Sequence, residues 1–205
     1  MKKPLFIVME GLDGSGKTTQ IELLKKKFHA HGMNVTDTHE PSDGPIGLLI
    51  RKFMRHELST HPASIAALFA ADRLDHIKNS DYGMLKKLQD GFHVICSRYY
   101  FSNYAFQGEY VPLDWLVNAN TLGKSFLKPD FIFYVNVPPE ICIQRLSKGR
   151  TGMDIYENLE KLQNTHLEFL RVFEKYGKDE NIHLIDGKKS ADEINEAIWK
   201  IIVGN

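Results

Sequence analysis

Gly11, Gly14, Gly16, Lys17, Thr18 and Thr19 fall close together, with Asp13 among them. Glycines let the backbone turn tightly and aim several N–H groups at one point, which a side chain would block. A lysine and a hydroxyl directly after them suit a multiply charged anion: an ammonium for its outer oxygens, an oxygen ligand for an accompanying Mg²⁺. The run Gly11-Leu12-Asp13-Gly14-Ser15-Gly16-Lys17-Thr18 fits G-x-x-x-x-G-K-[ST], the phosphate-binding loop of proteins that hydrolyse nucleotides or transfer phosphoryl groups. A helix beginning near Gly16 would add its positive dipole end to the same point.

Other residues offer charge or a flat surface for a second group. Arg98 follows a strand-like run, where an arginine makes a natural phosphate clamp. Arg145, Lys148 and Arg150, interleaved with glycines at 149 and 152, suit a short mobile lid over about 145–155. Phe69 and Arg73 are four apart on a helical pattern, so a flat base could stack on one and hydrogen-bond the other. On spacing alone, a core phenylalanine beside a surface arginine is the better account of that pair. Arg51 alone reads as a solvated helix residue, and the aromatics of Tyr99–Phe106 as either core or pocket lining.

To position these residues the chain alternates short apolar runs with helical patterns. Strands are expected at Leu5–Met9, Asn34–Thr38, Phe92–Cys96, Phe131–Val135 and Ile182–Ile185. Helical periodicity follows the glycine loop and recurs at Ile46–Leu58, Pro62–Lys78, Pro112–Phe126, Pro139–Leu146, Asn158–Tyr176 and Ala191–Ile202, the last opened by the capping pattern Ser190-x-x-Glu193. This order predicts one α/β domain over 1–205, a mainly parallel five-stranded sheet with helices on both faces and useful residues just past the strand ends.

Bulk properties narrow the class. The 205 residues are 42% hydrophobic and 25% charged, with lysine plus arginine balanced by aspartate plus glutamate. No global basic field argues for a nucleic-acid partner. Cys96 and Cys142 lie in apolar runs and read as core thiols of a reducing compartment, and no stretch approaches a membrane span, so a cytoplasmic protein is expected.

The chain resembles the thymidylate kinases nearly end to end. The resemblance rests on Glu10 to Gln20, Glu40-Pro41, Leu68-Phe69-Ala70-Ala71-Asp72-Arg73, and Arg98-Tyr99 through Ser102 to Ala105-Phe106-Gln107-Gly108. It implies the P-loop NTPase fold and transfer of a phosphoryl group from ATP to dTMP. Gly11, Leu12, Asp13, Gly14, Ser15, Gly16, Lys17, Thr18 and Thr19 would hold ATP, with Thr18 on Mg²⁺. Phe69 would stack on thymine and Arg73 hydrogen-bond its edge, reversing the reading from spacing. Asn103, Phe106 and Gln107 would complete the base and sugar contacts. Arg51 would hold the acceptor phosphate, Glu40 would lie in the acceptor loop, and Arg98 would bridge the two phosphates. Lys17, Arg98 and Asp13 would serve catalysis, joined by Arg150 or Arg145 because Gly14 leaves the loop without an arginine. A homodimer is also implied.

Two departures bear on this. Ser97 stands where the family usually has aspartate, which removes a negative charge from the metal's surroundings. Ser42-Asp43-Gly44 replaces the usual glycines of the acceptor loop, and Asp43 is expected to face solvent, since pointing inward it would repel a phosphate. These departures keep open a related kinase for another nucleoside monophosphate, or a weakly active nucleotide-binding paralogue. A GTPase-type switch is opposed by the lack of any Asn-Lys-x-Asp stretch.

Overall fold

The computed structural model describes residues 3–147 and 154–204. Its sheet comprises β1 (Phe6–Glu10), β2 (Val35–His39), β3 (His93–Ser97), β4 (Phe131–Asn136) and β5 (Ile182–Asp186), all parallel in the order β2-β3-β1-β4-β5. All five expected strands are present, each within a residue of the anticipated bounds. Central β1 is buried along its whole length, as a continuous apolar run in a two-sided parallel sheet should be.

Helices α1 (Lys17–Ala30) and α9 (Ala191–Gly204) pack together, with Phe28 edge-on to Trp199 at 5.2 Å. The Ser190–Glu193 capping box forms as anticipated: Ser190 N donates to Glu193 Oε2 at 3.0 Å and Glu193 N to Ser190 Oγ at 3.3 Å. Tyr134 of β4 packs instead against Phe169 and Phe173 of α8 (Asp154–Tyr176), and Phe173 meets Phe101 of α5 (Tyr100–Gln107) at 4.9 Å. Next to α5 lie α3 (Pro62–Lys78) and α6 (Leu113–Phe126), with α2 (Pro45–Met54) against α3. Among the described residues α4 (Met84–Gln89) and α7 (Pro139–Leu146) complete the helices.

Two differences from the sequence reading have physical causes. α2 stops at Met54 rather than Leu58 because His56 takes a left-handed backbone (φ 58), so Glu57 N reaches back to Lys52 O at 2.9 Å and closes a Schellman turn. A histidine fills a place usually marked by glycine, so the stop leaves little trace in the sequence. α5 was not anticipated as a helix: its aromatics are buried on nearly every side, which erases amphipathic periodicity. Its N-terminal cap also comes from far away in sequence. Glu10, ending β1, accepts from Tyr99 N at 2.9 Å and Ser102 N at 3.2 Å.

Candidate active site

The anticipated glycine loop joins β1 to α1. Gly11, Gly14 and Gly16 have φ values of 147, 78 and 97, a region that side chains disfavour. A Cβ on Gly14 would also stand 2.6 Å from Cys142 O. No side chain caps the N-terminus of α1 and its first turn has no acidic residue, which leaves the donors and the dipole for an anion. Lys17 folds over the loop and donates from Nζ to Gly11 O at 3.0 Å and Leu12 O at 2.8 Å. Burial, and then the positive charge of Arg98, push its ammonium down to about 7. Thr18 and Thr19 remain exposed at the start of α1.

Arg98 links this loop to the rest of the site. Its backbone is left-handed, with φ 70, at the carboxyl end of β3, where an arginine sits only under local constraint. The guanidinium donates from NH2 to Asp13 at 2.8 Å and from NH1 to Ser102 Oγ at 3.1 Å, and it lies 4.7 Å from the centre of the Phe106 ring. Desolvation works against the charge of Asp13, but Arg98 and Lys17 outweigh it and hold the carboxyl below its ordinary value. Ser102 Oγ in turn donates to Glu10 Oε2 at 2.5 Å. Burial raises the Glu10 carboxyl against these hydrogen bonds and the pull of Arg98. Glu10 thus holds both the start of α5 and the partner of Arg98.

On the other side, Arg73 of α3 is fully buried while Phe69 is half-exposed and outside the main apolar core, the reverse of a core phenylalanine beside a surface arginine. Arg73 donates from NH2 to Glu40 and from NH1 to Asn120, and its Nε–H has no protein partner. Asn120 Nδ2 donates to Asn103 Oδ1 at 2.9 Å, and Asn103 Nδ2 to Gln107 Oε1 at 3.1 Å. A continuous polar chain therefore runs from the acceptor loop through α3 and α6 into α5. Glu40, expected as an acceptor-loop contact, is buried behind Arg73, its other oxygen 3.3 Å from His76 Nδ1, which makes it a support for Arg73. The ligand atoms of Glu40, His76 and Cys96 lie within 4.8 Å of one another, yet each faces a protein partner: Arg73, Thr38 and the Arg98 carbonyl respectively.

Arg51 is drawn into the acceptor loop. It donates from NH2 to Pro41 O at 2.8 Å and from NH1 to Ser42 O. Asp43 is exposed as expected, but its carboxylate turns to Arg51 at 3.0 Å. Buried Asp72 fixes the loop, accepting from Ser42 N at 2.7 Å and Ser42 Oγ at 2.6 Å. Arg145, expected as a lid cation, reaches the P-loop from the end of α7, with NH1 3.3 Å from Gly14 O and 3.4 Å from Ser15 O. Arg150, Lys148 and most of the expected lid lie outside the described residues.

Sequence reasoning missed Asn120, Glu10 as a positioning group, and Asp72 as the loop anchor. Signals existed for two of them. Asn120 shares the buried face of α6 with Leu116 and Gly123, so a polar residue sits in an apolar register. Glu10 ends an otherwise apolar buried strand.

A family model described as thymidylate kinase matches residues 9–198. A thymidylate kinase of Leptospira borgpetersenii is 31% identical over 205 residues, covering 100% of this chain and 96% of that protein. Probable thymidylate kinases of Pyrococcus abyssi and Methanococcus aeolicus are each 33% identical, over 96% and 95% of this chain and 95% and 94% of theirs. With its parallel sheet, its P-loop and a match that spans both halves of the site, the chain belongs to the thymidylate kinase family and is a nucleotide-binding kinase of dTMP.

Proposed function

We propose that the donor is ATP in complex with Mg²⁺, that the products are dTDP and ADP, and that the residues assembled above carry the transfer. The observation that carries this reading is the placement of Arg98, which leaves a constrained backbone to touch the P-loop carboxylate of Asp13 and the α5 residues Ser102 and Phe106 at once. Phosphoryl transfer asks for in-line alignment and for neutralisation of spreading charge, with little covalent chemistry. Lys17 and the free N–H groups of α1 take the donor phosphates, Arg51 takes the acceptor phosphate, and Arg98 stands between. The exposed Thr18 hydroxyl and the Asp13 carboxylate of the same loop are hard oxygen groups that fit Mg²⁺, with Thr18 as ligand. Bound there, the ion would neutralise charge on the donor phosphates.

For the base, Phe69 offers a half-buried ring and Arg73 a buried Nε–H donor that has no protein partner. A carbonyl at the edge of thymine would satisfy that donor, which is otherwise costly to leave buried. Asn103 and Gln107 extend the polar wall, and Phe106 closes the sugar end. Arg150 and Arg145 are the cations assigned to the lid. The homodimer is supported by Trp115, Leu122 and Phe126, exposed on one face of α6 by 43%, 53% and 40%. A reducing, cytoplasmic setting suits the two buried free thiols, and among the described residues no helix is long and apolar enough to cross a membrane.

ADP release from ATP and Mg²⁺ with dTMP, dUMP, dCMP, dGMP and UMP tests the reading. Strong preference for dTMP, with little hydrolysis in its absence, is expected. Preference for another monophosphate would overturn the base contacts, and no turnover with any acceptor would overturn the catalytic assignment.

A further inference from the structure

The NH2 group of Arg51 has two hydrogens but faces three acceptors: Pro41 O at 2.8 Å, Asp43 Oδ1 at 3.0 Å and His39 Nε2 at 2.5 Å. The site is oversubscribed before any substrate arrives. Two of the four groups around the guanidinium are backbone carbonyls, those of Pro41 and Ser42. They are held in place because Ser42 is tied through N and Oγ to the buried carboxylate of Asp72. His39 ends β2 and is anchored by the sheet. Asp43 differs on two counts. It is a carboxylate, and its side chain is 80% exposed against 47% for His39, so it can leave without uncovering a buried group.

We infer that Asp43 is a resident competitor for the acceptor phosphate, occupying the Arg51 guanidinium in the free protein and giving it up when a phosphate monoester dianion arrives. This rests on the reading of Arg51 as the acceptor-phosphate residue. The two anions cannot share the cation cheaply: carboxylate and phosphate would face each other across one guanidinium, and like charges at that distance repel even in water. Asp43 therefore weakens acceptor binding through the phosphate alone and leaves recognition of the nucleoside untouched. It also keeps Arg51 pointed along the loop, so removing the carboxylate trades some order for affinity. The repulsion outweighs that loss, because an exposed ion pair contributes little and the backbone carbonyls still hold the guanidinium.

Titration calorimetry on the full chain, with dTMP, thymidine and inorganic phosphate as separate ligands, tests this. Asp43→Asn keeps the shape and removes the charge, and is expected to tighten dTMP about three- to tenfold. Thymidine affinity and Tm should not move, and Asp43→Glu should behave as the wild type. The gain should shrink as salt is raised. Unchanged or weaker dTMP binding by Asp43→Asn, or an equal gain for thymidine, overturns the inference. Should the wild type not bind dTMP, the functional reading fails, and the phosphate titrations still decide the competition: tighter binding by Asp43→Asn supports it and equal binding overturns it.

Discussion

The donor and acceptor halves of the site are built from different materials. The donor half is largely backbone: three glycines in the left-handed region, an uncapped helix N-terminus, and one lysine laid across loop carbonyls. The acceptor half is largely side chain: Glu40, Arg73, Asn120, Asn103 and Gln107 in a hydrogen-bonded row, with Asp72 fixing the loop above them. A backbone cradle fits any polyphosphate, since the geometry comes from φ values shared by many sequences. A buried polar row fits one partner, because each donor left unpaired is expensive. On the proposed reading, specificity belongs to the acceptor half, while the donor half supplies charge stabilisation. Damage to the first should appear in folding and recognition, and damage to the second in rate.

The sharpest break is Lys17→Met. Removing the loop cation should lower kcat about 100- to 1,000-fold, as for other single groups aimed at developing charge. Stability should respond in the opposite sense to usual. The folded protein holds Lys17 near 7 against an ordinary 10.5, so between those values the unfolded chain binds more protons, and the wild type gains stability as pH rises through that window. The variant lacks that gain. Melting temperatures of both proteins from pH 7 to 10 should diverge in the wild type's favour as pH increases.

Glu40→Gln probes the acceptor half and should read out as stability first. It leaves the Arg73 guanidinium buried without its counter-charge, a change that typically costs about 3–5 kcal/mol. In a domain of this size that is roughly 6–20 °C in Tm. Binding of ATP should stay near the wild type, because no donor residue is touched. A variant that melts normally but loses ATP binding would erase the distinction between the halves.

The same contrast explains what could be read from the sequence. The donor loop is contiguous, so its motif, strand and helix stand together within Phe6–Ala30 and are legible at sight. The strands were legible because a two-sided parallel sheet writes plain apolar runs. The acceptor row draws one or two residues from each of β2's loop, α3, α5 and α6, and nothing local marks Asn120 as the partner of Arg73. Phe69 and Arg73 show the limit best. Spacing placed them on one helical face, but which one was buried depended on Glu40, some thirty residues earlier in the chain. α5 was hidden for a related reason, since the carboxylate capping it lies at the end of β1.

Ser97 sits at the seam between the halves, and substituting it should give the smallest effect. It pairs in the sheet with Met9, just before the P-loop, its carbonyl accepts from Glu40 N at 3.0 Å, and Arg98 follows it. A carboxylate at this point would add negative charge next to Arg98 and beside the strand that leads into the P-loop, where the metal is proposed to bind. A full charge several ångströms from a divalent ion in a solvated cleft is worth about 1 kcal/mol, so Ser97→Asp should lower the Mg²⁺ concentration for half-maximal activity roughly threefold to fivefold. The same charge would also pull on Arg98, and a guanidinium drawn toward position 97 would loosen its hold on Asp13. Turnover should therefore change less than metal affinity, by no more than a few-fold in either direction. If both Mg²⁺ dependence and turnover stay as they are, the seam is electrostatically silent, and Asp13 alone sets the charge that the metal meets.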